Sequence, residues 1–535
     1  MKIQLQSIFT YLIKFRSSIL LILCLGIFLL IGLYNIESPG LYYDEALFVN
    51  AATGGVSDLF VFKRIANIPV MLMSYIGALK AWIYYPIFKI FGIDYLSIRL
   101  PALLLGALAI GLTWKYVHHQ FGSVAAYIFL ILAAVEPSTI FHSRLDWGPT
   151  ALMMVFRGGL LLSLAYWFYS GKSKYLFLAL FCVGLGTFDK LNFIWLTTSA
   201  FAAGLLVYPE RFVKLLPSKK KFIVISILAF IVAILATILP KMLYIKILEE
   251  IDIADLGKRL SVFLHLLGLT LRGEGVYAFV IKHGVGSNIF VLHSYALIAT
   301  SLLALYGIYF GIRDGSLGTR PLVHLALLTS FLAIQILFTK KATGPHHFAM
   351  FAPLWLIFMA VGMGSVMQRI QKRSVVLARA IIGFFIILIV STSIKINLFY
   401  HEGFKTNIGN LNWDPASSTE LTKTLIAHDM KLMVAVDWGL ATNVQALSNN
   451  QIKVLDYWAP FKVGLNEAQA TLINSNFIEK RAVFVLYVEG KENFPATRRH
   501  FLEEAYNRGW KIQKILTLNS KNGNPYIEIY GSEKK

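Results

Sequence analysis

Cysteine and charge are both scarce in this chain. Its 535 residues include two cysteines, and Asp, Glu, Lys and Arg together make up 15% of them. Cys24 and Cys182 both sit in apolar runs, which excludes a disulfide framework and a cysteine-based metal site. Soluble domains carry about 25% charged residues and about 45–50% apolar ones. Here 57% of residues are hydrophobic and the mean hydropathy is +0.63. That balance excludes a disordered chain and an ordinary water-soluble enzyme. Glycine-rich phosphate loops of the GxGxxG or P-loop type are also missing, and no internal repeat is visible. Acidic residues are the scarcest charged class, 29 against 50 Lys and Arg, for a net charge of +21. The excess is local: residues 1–397 hold 34 cations against 15 anions, and residues 398–535 hold 16 against 14. A basic surplus confined to the apolar part belongs to membrane topology and not to nucleic acid.

What is present is a series of long apolar runs. A membrane-crossing helix needs roughly 20 mostly apolar residues. Eleven such spans are expected, near 17–34, 96–117, 122–140, 149–169, 175–189, 191–208, 222–243, 289–311, 321–339, 346–366 and 380–397. The first lacks a small-x-small cleavage pattern and is read as a retained span. With the N-terminus in the cytoplasm, 17 cationic positions, among them Lys172, Lys174, Arg211, Arg313, Arg320 and Arg369, fall inside against only Glu210 and Asp314. An odd number of spans then leaves the C-terminus outside. The same scheme turns three regions outward: a first loop over 35–95, a loop over 244–288 and the tail after 398. The apolar stretch from Val70 to Phe91, broken by Lys80, Pro86 and Lys89, is read as interfacial helices on the outer leaflet. In the tail, 431–436, 482–488 and 526–530 pattern as strands, and 417–428, 466–474 and 496–507 as helices. The expected division is a transmembrane domain over 1–397 and an extracytoplasmic α/β domain over 398–535. Asp437, at the end of an apolar strand, is either a ligand position at a sheet switch point or, more commonly, a turn residue.

The outward loops carry the residues able to do chemistry. Asp44 and Glu45 are adjacent carboxylates, about 100° apart on a helix, so they cannot share one substrate atom. Helix-start chemistry accounts for them equally well. Arg144 and Asp146 lie in a tight loop at the bilayer edge, where charges either pair or face a wet cavity. Lys190, after Gly186-Thr187-Phe188-Asp189, either binds an anion or reaches for the headgroups. Lys341 with His346 and His347 forms a cationic helix start suited to phosphate. Arg157, inside the fourth span, is read as packed against Glu136. The loops open on one side and mix carboxylates with cations. A donor carrying a phosphate and a lipid tail needs a base, cations and apolar surface together.

These motifs, in this order, resemble a GT-C membrane glycosyltransferase of the glycosyltransferase family 39 type. That type includes the dolichyl-phosphate-mannose–protein mannosyltransferases and the bacterial aminoarabinose transferases of lipid A. The resemblance covers about residues 30–360. It rests on Asp44-Glu45, Tyr75-Ile76-Gly77-Ala78-Leu79-Lys80, Phe91-Gly92, Arg99-Leu100-Pro101, Ser143-Arg144-Leu145-Asp146, Gly186 to Lys190 and Gly344-Pro345-His346-His347. It implies an all-α polytopic membrane fold of GT-C type, with interfacial helices in the first outward loop and a C-terminal extracytoplasmic α/β domain. It also implies inverting transfer of a sugar from a polyprenyl-phosphate donor to a glycolipid, glycan or protein acceptor at the outer face of an inner membrane. Catalysis would fall to Asp44, as general base, with Glu45 and Asp146. Substrate binding would fall to Arg144, Lys190, Lys80, Lys341, His346 and His347. In the aminoarabinose branch a Glu-Lys pair precedes a proline of the first loop, and its Glu helps to bind a divalent metal ion. Here Asn67 and Ile68 precede Pro69, which leaves Lys63, Arg64 or Lys80 for the lysine's role and the metal open. A transporter or flippase of a lipid-linked sugar is the alternative. Transporters tend to show internal repeats and helices broken at the midplane, whereas the charges here collect at one face.

Overall fold

The computed structural model describes residues 2–54, 63–73, 75–214, 255–281, 284–339, 344–406, 414, 417–474, 482–494 and 496–532, with side chains from 17 onward. The expected span at 222–243 and Lys341 lie outside the described residues. The chain is a multi-pass membrane protein: among the described residues five helices are long and apolar enough to cross a bilayer, and Ser17–Leu33 and Phe193–Val207 are shorter apolar helices.

Hydropathy located most of the spans to within a few residues. Helix α1 covers Lys2–Leu33 and α4 covers Tyr95–Ala133, with α4 broken at Gly122, whose φ of 84° lies outside helical space. That break separates the two spans read at 96–117 and 122–140. The second ends early, and α5 (Pro137–Leu145) is a separate short helix. Proline favours the first position of a helix because its missing N–H is not needed there, and Glu136 caps α5 by accepting from the Ser138 and Thr139 amides. Then come α6 (Thr150–Ser170), α7 (Ser173–Asp189) and α8 (Phe193–Val207). The span read at 346–366 is instead a four-residue helix, Pro345–Phe348, followed by Leu354–Gln371.

The first outward loop differs from its sequence reading. Helix α2 (Tyr43–Thr53) leads into a small antiparallel sheet, β1 (Lys63–Ile65), β2 (Ile68–Met73) and β3 (Ile76–Gly77), and then α3 (Leu79–Phe91). The first part of the Val70–Phe91 stretch is therefore strand. A short apolar run such as Val70 to Met73 does not by its apolarity alone tell a strand from a helix.

The tail forms a five-stranded mixed sheet in the order β5-β4-β6-β8-β7. Its strands are β4 (Leu432–Ala435), β5 (Lys453–Asp456), β6 (Val483–Tyr487), β7 (Ile512–Asn519) and β8 (Pro525–Ser532). β4 runs parallel to β5 and β6, while β6 and β7 pair antiparallel with β8. This sheet does not stand apart. Leu440, Ala441 and Val444, on the helix Leu440–Leu447 that follows β4, share one apolar core with Leu41, Ala46, Phe48 and Val49 of the α2 region. The join is also hydrogen-bonded: Asn443 donates to the Leu41 carbonyl at 2.9 Å, Asn50 donates to the Thr442 carbonyl at 3.0 Å, and Tyr43 stacks on Trp438.

Candidate active site

Helix α2 begins at Tyr43 behind a capping box in which Glu45 accepts from the Tyr42 amide. Both carboxylates of the first loop thus stand in the first turn, but their fates differ. Glu45 is buried, and its two oxygens take Nε and Nη2 of Arg99 at 2.8 and 3.0 Å. Arg99 in turn donates to the carbonyls of Ile36, Pro39 and Gly40. Expected among the catalytic carboxylates, Glu45 is instead the anchor of a buried bidentate pair that ties α4 to the first loop. Among the described residues Asp44 has no such partner. A Cβ at Gly148 would lie 3.1 Å from Lys190 Nζ and 3.9 Å from Asp44 Oδ2, so carboxylate and ammonium border the same point. Gly148 sits at φ +67°, and a side chain there would be both strained and in the way. Burial lifts the Asp44 carboxyl to about 6, against the pull of Lys190 and Lys80 and with a push from Glu45 and Asp146.

Asp146 ends α5 in the left-handed region, at φ 39° and ψ 58°. One of its oxygens accepts from the Ala151 amide at 2.8 Å, and the other lies 2.5 Å from Lys80 Nζ in an ion pair closed to solvent. Burial alone would lower the Lys80 ammonium, but Asp146 holds it above its ordinary range. Lys80 also lies over the rings of Phe48 and Tyr84. It reaches this place because β3 pairs with the end of α7: Ile76 bridges to Lys190, and the Leu191 amide donates to the Tyr75 carbonyl.

Arg144 does not join them. Expected to bind substrate, it is fully buried and donates to four carbonyls, those of Gly32, Tyr34, Asn35 and Ser38, so its guanidinium fastens the end of α1 to the first loop. The Arg144–Asp146 alternation places the two side chains on diverging sides of the α5 terminus. Arg157 likewise serves the backbone: it donates to the Ala349 and Met350 carbonyls and not to Glu136, which caps α5.

Lys190, 3% exposed, has no carboxylate within ion-pair distance among the described residues. It closes α7 in an extended conformation. His346 and His347 come to the same region: His346 packs on Trp147 with ring centroids 4.6 Å apart, and His347 meets Asn192 at 3.4 Å. The structure therefore gathers Asp44, Asp146, Lys80, Lys190, His346 and His347 at one end of the bundle. It adds Trp147, Asn192 and Asp189, which sequence reasoning did not select. The only signal available for them was adjacency to charged residues in the same motifs. Among the described residues no three His, Cys, Asp or Glu side chains gather as an ion-binding set.

Residues 77–238 match the family model described as dolichyl-phosphate-mannose-protein mannosyltransferase. No curated protein sequence matches the chain. Among solved structures, ArnT from Cupriavidus metallidurans in the apo state aligns with a TM-score of 0.56 at 11% identity, over 96% of this chain and 98% of that one. Its complex with undecaprenyl phosphate aligns at 0.55, again at 11% identity, over 95% and 97%. The Archaeoglobus fulgidus oligosaccharyltransferase tethered to an acceptor peptide aligns at 0.54 and 13% identity, over 90% of this chain and 70% of its own. The resemblance read from the loop motifs holds at the level of fold: the chain has the GT-C type of fold that ArnT and the oligosaccharyltransferase share, and residues 77–238 match the mannosyltransferase family model.

Proposed function

We propose that this protein is an inverting glycosyltransferase, taking a sugar from a polyprenyl-phosphate donor and passing it to a hydroxyl of a cell-envelope glycolipid, glycan or protein. The observation that carries this reading is the convergence of Asp44 and Lys190 beside Gly148. An acceptor oxygen attacks the anomeric carbon, its proton goes to Asp44, and the carbon–oxygen bond to phosphate breaks with the electron pair leaving on phosphate. Lys190, with His346 and His347 beside it, offsets the charge that grows on the leaving phosphate in a site largely closed to water. No acid is required on the leaving oxygen, unlike glycoside hydrolysis. Asp146 and Lys80 act as one neutral pair that shapes the site. Among the described residues no metal-binding set assembles.

The similarity to ArnT bound to undecaprenyl phosphate supports a polyprenyl carrier. The basic residues near 172, 211, 313, 320 and 369 support placing the opposite end of the bundle in the cytoplasm of an inner membrane. On that placing the site and the 398–535 domain face outward. The test is sugar transfer by purified protein supplied with donor and acceptor. Asp44→Asn keeps the side-chain shape, and should lower the rate about 10²–10⁴-fold with donor binding intact. Near-normal turnover by that variant overturns the assignment of the base. Orientation is read separately from Lys174→Cys and Asn522→Cys in a chain lacking Cys24 and Cys182: an impermeant thiol reagent should label only the second in intact cells.

A further inference from the structure

Asp189 is the last residue of α7, is fully buried, and neither of its carboxylate oxygens has a hydrogen-bond partner among the described residues. Every other buried carboxylate around the site is engaged or beside a cation: Glu45 with Arg99, and Asp146 with Lys80. An orphaned carboxylate of this kind is costly unless something fills its lone pairs. Its neighbour Lys190 is open in the complementary sense, an ammonium with no carboxylate at ion-pair distance. The two do not pair with each other, because Asp189 closes the helix while Lys190 is already extended. The side-chain amide oxygen Oδ1 of Asn192, two residues on from Lys190, is buried and without a partner among the described residues as well. Asp189 adjoins Lys190 in the chain, and the Lys190 ammonium borders the same point beside Gly148 as Asp44, so both carboxylates neighbour one lysine. The pairing of β3 with 188–191 fixes this placement by tying Asp189 to the strand that leads into Lys80.

We infer that Asp189, with Asn192, holds the hydroxyl groups of the sugar being transferred. The inference rests on the reading of Lys190 as the donor-phosphate contact. A ligand with an anionic end for Lys190 and neutral hydrogen-bond donors for Asp189 satisfies both open groups at once. A metal cation does not fit, since the unpaired Lys190 ammonium repels it. A second anion is left without a counter-charge, because Lys80 is already paired with Asp146 and Lys190 is taken by the first. Hydroxyls are what remain, and a carboxyl group offers them acceptor oxygens whether or not it carries a proton.

The test uses the full-length protein in nanodiscs, loaded with the total polyprenyl-phosphate lipids of its own membranes. Bound species are read by native mass spectrometry. Wild-type protein should retain polyprenyl phosphate both bare and bearing a sugar. Asp189→Asn and Asp189→Leu should retain the bare lipid normally, while the ratio of sugar-bearing to bare lipid falls about tenfold or more. An unchanged ratio in both variants, or a wild type that retains only bare lipid, overturns the assignment of Asp189. Equal loss of both lipids in well-folded variants, judged by unchanged melting, moves Asp189 to the phosphate and also overturns it. If wild type retains no polyprenyl phosphate at all, and Lys190→Ala changes nothing, the donor reading itself fails.

Discussion

The two ends of the helical bundle handle charge in opposite ways. At the end away from Asp44, Arg320 pairs with Glu210 and Arg369 with Asp314, all with substantial solvent exposure. At the site end the ionic groups are buried: Glu45 with Arg99, Lys80 with Asp146, Arg144 on four carbonyls, and Lys190 and Asp189 left open. Exposed pairs contribute little because water and salt screen them. Buried charges are costly, so each must be anchored or held for a ligand. The contrast separates charges that set topology from charges that build a site.

That contrast is sharpest at Glu45. Glu45→Gln leaves the Arg99 guanidinium buried and uncompensated, and a loss of about 3–5 kcal/mol of stability is expected, measured as a lowered melting temperature in detergent. A mild loss would place Glu45 with the exposed pairs. Lys190→Ala should leave melting nearly unchanged yet weaken retention of polyprenyl phosphate by about 1.5–3 kcal/mol, read as the dissociation constant. Next comes the pH profile. With Asp44 shifted to about 6, transfer should fall about tenfold per pH unit below that value, because a base must be unprotonated. Stability follows the opposite sense. The folded chain holds this proton more tightly than the unfolded one, so the group's contribution is full below 3.8 and fades as pH rises through about 6. Asp44→Asn should remove both dependences. The smallest effect is expected from Arg320→Ala, with no resolvable change in melting or transfer. A large change there would erase the distinction between the ends.

Much of the fold was legible because a bilayer imposes one length and one polarity on each span. Thr150–Ser170 and Thr319–Leu337 fall within two residues of their expected limits. The tail's β4, β6 and β8 were visible as short apolar runs. β7 was not, because its residues are half-exposed and mixed in polarity, and β5 was not, because it is four residues long with a polar start. Asp437 does follow β4, at the carboxyl ends of parallel strands, but its oxygens take the Trp438 amide and the Thr497 hydroxyl, which is turn chemistry. In the site, the motif order located Asp44, Lys190, Lys80 and the histidines, since loops at one end of a bundle must meet. Partnership was not legible. Lys80 and Asp146 come together through a strand pairing that hydropathy does not register. Arg144 turned to backbone carbonyls because four of them end α1 within its reach, a fact carried by chain path and not by residue type.

The join between α2 and the tail sheet has a temporal meaning. The Asn443–Leu41 and Asn50–Thr442 contacts span 402 and 392 residues. At ribosomal speeds of about 5–20 residues per second, the segment holding Asp44 emerges roughly 20–80 s before the surface that clamps it. For that interval the apolar face of α2 has none of its final neighbours from the tail. A nascent chain is therefore without its completed base-bearing helix until residues 442 and 443 have been read, hundreds of residues after Asp44 itself.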